Sequence, residues 1–454
     1  MAIAIAIAVL TLASLAFHFL SPWFYTPIAS NWGQLDDTVT ITLWVTGVVF
    51  VVVNLFMAYS IWKYRTRAGL QAEYVPERNQ LEAWLMGLTT VGIAALLAPG
   101  LIVYARVIDV PKEASLVEVV GRQWNWSFRF PGPDGKLGTT AARYVNDKNM
   151  LGLNPDDPHG QDDVLIMSQE LHLPEGKPIK FLLRSLDVLH DFSVPQFRVK
   201  MDLVPGMITH SWLTPTRTGT FDLLCENLCG LAHFAMRGKI VVEEPAKFET
   251  WLAGHQTFSQ AMAEPAGDAA AGKQLYASCA SCHGAAGEGN SALNAPKLAG
   301  QADWYLERTL STFAKGARGA DERDTYGKMM APMAMALPDA TARKNVVAYI
   351  KTLPDSTAPA TIEGDTRKGH QFYQANCAAC HGGAGEGIKA MNAPRLAGQS
   401  DWYIERQLTN FHKGIRGTDP EDSFGPQMVA MAGPLSDERQ VKNLVAYIKS
   451  LGSK

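Results

Sequence analysis

Cys225-Glu226-Asn227-Leu228-Cys229-Gly230-Leu231-Ala232-His233-Phe234-Ala235-Met236 sets two thiols four residues apart, an imidazole four further on and a thioether three beyond that. Soft thiolate and thioether ligands combined with imidazole favour copper. The same spacing also suits a zinc loop or a pair of reactive thiols. The loop is one ligand short. His190, in Asp187-Val188-Leu189-His190-Asp191-Phe192-Ser193-Val194-Pro195, is the natural addition from upstream in the same unit. Around these residues run short β-rich stretches, 115–120, 178–183 and 239–242, parted by turns such as Pro131-Gly132-Pro133-Asp134-Gly135. Many short strands at such spacing predict a β-sandwich or barrel over 107–245.

Upstream the character changes. Residues 38–62 and 83–105 carry no charge, and each run is long enough for a helix to cross a bilayer, which takes about 20 residues. The link between them holds Lys63, Arg65, Arg67 and Arg78, whereas 21–37 holds no Lys or Arg. The excess of basic residues places the link in the cytoplasm, so everything after Arg106 lies on the outer side. Residues 38–106 thus read as a transmembrane helix hairpin. The apolar run at the start, within residues 1–24, is either a signal peptide, with Ser14-Leu15-Ala16 as a cleavage site, or an extra transmembrane helix. The lack of a basic leader favours the helix.

Downstream, a small polar linker is expected over 246–271, then an internal repeat at an offset of 98 residues. Cys279-Ala280-Ser281-Cys282-His283 recurs as Cys377-Ala378-Ala379-Cys380-His381, and between 294–316 and 392–414 16 of 23 positions are identical. C-x-x-C-H is the attachment motif of c-type haem: two thiols for the porphyrin and an imidazole for the iron. The reading is two all-α cytochrome c domains, 272–354 and 365–454, with a linker at 355–364. A methionine is the expected sixth ligand, since it raises the potential. Met330 aligns with Met428 and Met333 with Met431; Met329 faces Gln427 and Met335 faces Gly433. Both shared pairs stay open on spacing alone. The six Cys form three close pairs, which speaks for cofactor sites over a disulfide frame. The chain has 454 residues, room for about three domains, and 41 Lys+Arg against 44 Asp+Glu, which argues against a basic nucleic-acid binder.

From about 38 to 245 the chain resembles subunit II of haem–copper cytochrome c oxidases. The hairpin, Gln123-Trp124-Asn125-Trp126-Ser127, the 187–195 run, Val204-Pro205-Gly206 and the 225–236 loop carry the resemblance. It implies a cupredoxin-like β-barrel holding a dinuclear copper centre, CuA. Cys225 and Cys229 then bridge the coppers, His190 and Met236 complete one, and His233 with the Asn227 carbonyl completes the other. Asn227 departs from the family, which has Glu in that slot to help hold magnesium; here the acid sits one place earlier, at Glu226. Trp124 matches an exposed aromatic through which electrons enter, and Glu82 matches a carboxylate at a proton-channel mouth, although it equally suits a helix N-terminus. The two repeats resemble the dihaem cytochrome c4 family in Ala295-Pro296-Lys297-Leu298-Ala299-Gly300-Gln301 and the Met-x-x-Met run. That resemblance makes Met330 and Met428 axial, with Met333 and Met431 as core packing.

Together these imply subunit II of a proton-pumping terminal oxidase with its own dihaem cytochrome c. Its partners are subunit I, with haem a and copper B, subunit III, membrane lipid and an outer-side cytochrome donor, soluble or membrane-bound. The expected place is a bacterial inner membrane, with the copper and haem domains on the periplasmic side. The alternative is a free-standing membrane-anchored electron-transfer protein with the same cofactors. A quinol oxidase subunit would lack the copper ligands, and nitrous oxide reductase needs a second copper domain for which the chain has no room.

Overall fold

Uncharged runs with no polar face form helices that stay apolar all round. In the computed structural model, which describes residues 1–454 except 22–24, 68, 70, 72–77, 264–265 and 453–454, three such helices lead the chain. They are α1 (Ala2–Leu20), α2 (Gly33–Lys63) and α3 (Asn79–Ile108), each long and apolar enough to cross a membrane. α2 and α3 extend beyond the uncharged runs because polar ends remain helical outside the apolar stretch. Helix α1 packs along α2, with Phe19 against Trp44 at 6.2 Å between ring centroids. Much of the basic link lies outside the described residues, as does the end of the 1–24 segment. Glu82 stands exposed in the first turn of α3.

The alternating apolar residues of 115–243 produce ten strands: β1 (Ser115–Arg122), β2 (Asn125–Phe130), β3 (Val164–Ile166), β4 (Glu170–Pro174), β5 (Ile179–Ser185), β6 (His190–Val194), β7 (Val199–Leu203), β8 (Ile208–Leu213), β9 (Gly219–Leu224) and β10 (Arg237–Glu243). They make two five-stranded sheets, β3-β2-β1-β5-β8 and β4-β10-β9-β6-β7, with β1/β5 and β10/β4 parallel and the other pairs antiparallel. This is the expected cupredoxin-like arrangement. Val117, Phe128 and Phe181 from one sheet meet Phe192, Phe221 and Ile240 from the other in one core. Phe181 and Phe192 lie 5.1 Å apart across it. Buried Glu118 on β1 bonds both Arg129, at 2.9 Å, and Arg184, at 3.1 Å, tying three neighbouring strands of one sheet.

The barrel is pinned to the membrane helices. Arg198 pairs with Asp36 near the start of α2 at 2.7 Å, and the Trp212 indole donates to the Arg106 carbonyl near the end of α3 at 3.2 Å. Trp32 donates to the Trp212 carbonyl and stacks edge-on against its ring.

The 246–271 linker is shorter than its composition suggests. Helices α4 (Pro245–Ala253) and α5 (Phe258–Ala263) fill most of it. Phe248 and Trp251 pack beside Phe130, and Phe258 is fully buried against Leu151 and Leu153. Apolar residues scattered at helical spacing in a small-residue stretch are enough to dock it on the barrel.

The first repeat holds α6 (Ala269–His283), α7 (Asp303–Ala314), α8 (Thr325–Met335) and α9 (Ala340–Thr352). The second holds α10 (Thr366–Asn376), α11 (Ala378–His381), α12 (Asp401–His412), α13 (Gly425–Ala432) and α14 (Glu438–Leu451). An Asp caps the start of α6, α8, α9, α10 and α14, accepting backbone N–H groups left free at a helix start. The halves face each other with near two-fold symmetry. Arg308 donates to Asn392 and Arg406 to Asn294, each Asn in the left-handed region at φ 52° and 55° respectively. The 355–364 stretch is a strap more than a free linker: Asp355 bonds Lys297 at 2.5 Å and Arg395 at 2.7 Å, and the Asp401 carboxylate accepts the Thr361 and Ile362 N–H groups.

Candidate metal centre and haem sites

The loop after β9 returns on itself before β10, so its sulfur and imidazole groups fall together against the first residue of β6. Cys225 Sγ lies 3.8 Å from Cys229 Sγ and 4.0 Å from His190 Nδ1. Cys229 Sγ lies 3.4 Å from His233 Nδ1 and 3.9 Å from Met236 Sδ. The Asn227 carbonyl is 3.3 Å from Cys225 Sγ. All six groups named from the sequence are therefore in one place, and His190, Cys225, Cys229 and Met236 are buried. His190, Cys225 and Cys229 already stand close enough to share a cation. Two thiols this near compete for ionisation: the hydrogen bond between them lowers Cys225 to about 4 and, with burial and the Cys225 charge, pushes Cys229 up. A cation between them removes that conflict. Two bridging sulfurs, two imidazoles, a thioether and a carbonyl fit a copper pair by donor type.

The surrounding residues fix these groups. His190 is fully buried, and its Nε2 sits 2.8 Å from Asp187 Oδ1, which turns Nδ1 toward the sulfurs. Such an outer carboxylate sets the tautomer and the ring orientation of a ligating imidazole. Asp187 Oδ2 also accepts the Gln123 N–H at 2.7 Å. The Gln123 amide and the Trp124 indole N–H both donate to the Cys229 carbonyl, at 2.7 and 3.1 Å. Gly230 is required here: at φ 119° a Cβ would stand 2.8 Å from the Gln123 amide and 3.0 Å from the Trp124 ring. Asp187, Gln123 and Gly230 were quoted or passed over in the sequence without a role. Their signal was the invitation to ask what orients His190, and the strand pairing that answers it is non-local.

One expectation changes. Trp124 is 5% exposed and not a surface aromatic, because the second cytochrome repeat covers it. Glu226 points outward to Lys200 at 3.0 Å, while the Asn227 amide donates to Asp202 at 2.6 Å. Asp202 and Glu226 in turn neighbour the fully buried Asp191.

In both repeats the C-x-x-C-H His ends a helix and is buried. His283 Nδ1–H donates to the Pro296 carbonyl and His381 Nδ1–H to the Pro394 carbonyl, both at 2.8 Å. Nε2 is left as the free ligand atom, and burial lowers both imidazoles. A cavity of about 480 Å³ between the repeats is lined by both C-x-x-C-H motifs and by Met330 and Met428. Its walls also carry Arg308, Arg318, Arg406 and Arg416. The buried Nε atoms of Arg318, Arg406 and Arg416 have no partner. Burial pushes the Tyr305 phenol up, yet the Arg416 and Arg318 guanidiniums overcome this and bring it down to about 7. So cationic an apolar cavity calls for an anion, and the carboxylates of haem supply one. Met428 packs into the core of the second repeat, whereas Met431 packs toward the barrel and Met333 is 43% exposed. Met333 and Met431 also line that cavity, three residues along the same helices from Met330 and Met428.

Comparison with known proteins follows the same division. Residues 115–244 match the family described as "Cytochrome C oxidase subunit II, periplasmic domain", and residues 269–354 and 366–452 each match the family described as "Cytochrome c". The chain is similar to the alternative cytochrome c oxidase subunit 2 of Bradyrhizobium diazoefficiens, 54% identical over 259 residues, covering 57% of this chain and 94% of that relative. It is 25% identical over 243 residues to cytochrome c oxidase subunit 2 of Cereibacter sphaeroides, covering 50% and 77%. Among solved structures it is similar to reduced recombinant cytochrome c4 from Pseudomonas stutzeri, at 29% identity, covering 40% of this chain and 98% of that one, with a TM-score of 0.33.

Proposed function

Since the chain belongs to the cytochrome c oxidase subunit II family, we propose that it passes electrons from two covalently bound c-type haems to a dinuclear copper centre and on to an oxygen-reducing haem–copper subunit of a terminal oxidase. The single observation that carries this is the convergence of Cys225, Cys229, His190, His233, Met236 and the Asn227 carbonyl in one cluster, with the two thiols, His190 and Met236 buried. When bound, copper and haem supply reversible one-electron chemistry that no side chain offers.

The chain's own residues place and tune those groups. Cys225, Cys229, His190, Met236, His233 and the Asn227 carbonyl would hold the copper. Asp187 holds His190 in one tautomer, so little rearrangement accompanies a change of charge. Cys279, Cys282, His283 and Met330 would hold one haem, and Cys377, Cys380, His381 and Met428 the other. The Pro296 and Pro394 carbonyls orient the two His, and the four cavity arginines neutralise buried carboxylates. Attachment to the same chain keeps donor and acceptor at high effective concentration. The three apolar helices hold the assembly in a membrane, with the β domain and repeats outside and Glu82 on the inner side.

The test is to isolate the complex from native membranes and ask what comes with it. The reading expects a many-helix haem–copper partner, oxygen uptake with a reduced cytochrome donor, and loss of that uptake in Cys225→Ser. A chain that purifies alone with its full copper and haem content and never joins an oxidase contradicts it.

A further inference from the structure

The two cytochrome repeats are near copies, but they do not meet the barrel in the same way. The Gln427 amide donates to the Trp124 carbonyl at 2.5 Å, and the Gln169 amide of the barrel donates to the Ser423 carbonyl at 3.0 Å. Cys380 and Met431 pack against the core that contains Trp124, Cys229 and Ala232. All of these contacts belong to the second repeat. The matching positions in the first, 98 residues earlier, are Cys282, Met329 and Met333; all three are exposed, Met329 by 63%, and they line the cavity between the repeats and do not pack on the barrel core. The Met329 side chain has no N–H to give, so it cannot make the Gln427 bond.

We infer that the C-terminal repeat is the one that delivers electrons to the copper centre, and that the N-terminal repeat, whose matching face is open, is where they enter. Gln427 adjoins Met428. From it, two hydrogen bonds lead through Trp124 to Cys229, at 2.5 and 3.1 Å. Cys380, one of the two thiols that attach the second haem, lies in the same contact. The order is a consequence of sequence: one Met-to-Gln difference and one half-buried against one exposed Cys distinguish the two similar halves. The transfer is a one-electron exchange. A ferrous haem becomes ferric, the copper pair gains that electron, no bond forms or breaks, and dioxygen at the partner subunit is the final oxidant.

This rests on the proposed function, and its test separates the two. The complete complex, fully reduced, is mixed with oxygen while the absorption band of each haem is followed. Met428→His and Met330→His each mark one haem by a band shift and lower its potential, because Met is the ligand that raises it. In Met428→His the haem of the first repeat must send its electron uphill, and its oxidation slows by at least about tenfold, the factor that each 59 mV imposes on a one-electron equilibrium. In Met330→His the haem of the second repeat oxidises at its normal rate. The opposite asymmetry, or none, overturns the order. Where a ligand exchange costs the haem, a second pair decides. Met431→Glu places a charge in the contact with the barrel, slows oxidation of both haems and speeds hydrogen exchange of the 230–236 amides. Met333→Glu, on the matching open face, does neither; equal effects of the two overturn the order. A wild-type complex lacking copper or haem overturns the proposed function itself.

Discussion

Asp187→Ala removes one carboxylate that serves two parts of the copper site at once. Its Oδ1 fixes His190 through Nε2 at 2.8 Å, and its Oδ2 holds the Gln123 N–H at 2.7 Å. The imidazole then loses its preferred tautomer, and the 123–124 turn that grips the Cys229 carbonyl loses an anchor. Loss of an outer partner of a metal ligand costs about 10–100-fold in affinity. At about 1.4 kcal/mol per decade this is about 1.4–2.8 kcal/mol. Because both oxygens are used, the upper half of that range is expected for Asp187→Ala. Asp187→Asn keeps an acceptor oxygen and should fall in the lower half. Copper affinity is measured by competition with a calibrated chelator on the purified chain, with the visible and near-infrared bands followed in parallel. Unchanged affinity and an unchanged spectrum in Asp187→Ala would show that His190 is oriented by other means, and would sink the outer-partner argument.

The remaining expectations concern stability, ligation and potential. Glu118→Gln takes away the buried carboxylate that Arg129 and Arg184 share, leaving Arg129 with Asp163 at 2.6 Å and Arg184 with the Leu151 carbonyl, so the cost in denaturant unfolding of the chain should fall at or below the lower end of the about 3–5 kcal/mol of a broken buried pair. Burial pushes the Glu118 carboxyl up, but Arg129 and Arg184 outweigh it and hold the group below its ordinary value of 4.5. The stability it contributes is therefore present above that value and fades as pH falls through the lower, folded one, so acid should destabilise the wild type more than Glu118→Gln. Met428→Ala should convert one haem to a high-spin form with copper content unchanged; an unaltered spectrum moves the axial role to Met431. Arg416→Gln takes a cation from the cavity between the repeats, which favours the ferric form, and redox titration should show at least one haem potential lowered.

The parts of this molecule that were legible in the sequence are those written in local patterns. Uncharged runs mark α2 and α3, alternation marks β1, β5 and β10, and the fixed spacings 225–236, 279–283 and 377–381 mark the sites. The helices at 245–263 were hidden because small residues dilute the apolar signal of Phe248, Trp251 and Phe258. The burial of Trp124 was illegible for a different reason. It depends on a contact with Gln427 some three hundred residues away, and single-chain patterns do not record which surfaces of separate domains meet. The choice between Met330 and Met333, and between Met428 and Met431, is of the same kind, since two methionines three residues apart share a helix face and spacing alone does not rank them. The cation-rich cavity was equally unreadable: Arg308 and Arg406 are ordinary helix residues until the two repeats face each other.

The account depends on all three cysteine pairs serving as cofactor anchors. The most direct measurement is quantitative copper and haem analysis of the purified full-length chain, combined with its near-infrared spectrum. Two coppers with a mixed-valence band and two covalently attached haems per chain are predicted. A single copper without that band, fewer than two haems, or any of the pairs Cys225/Cys229, Cys279/Cys282 and Cys377/Cys380 recovered as a disulfide would contradict it.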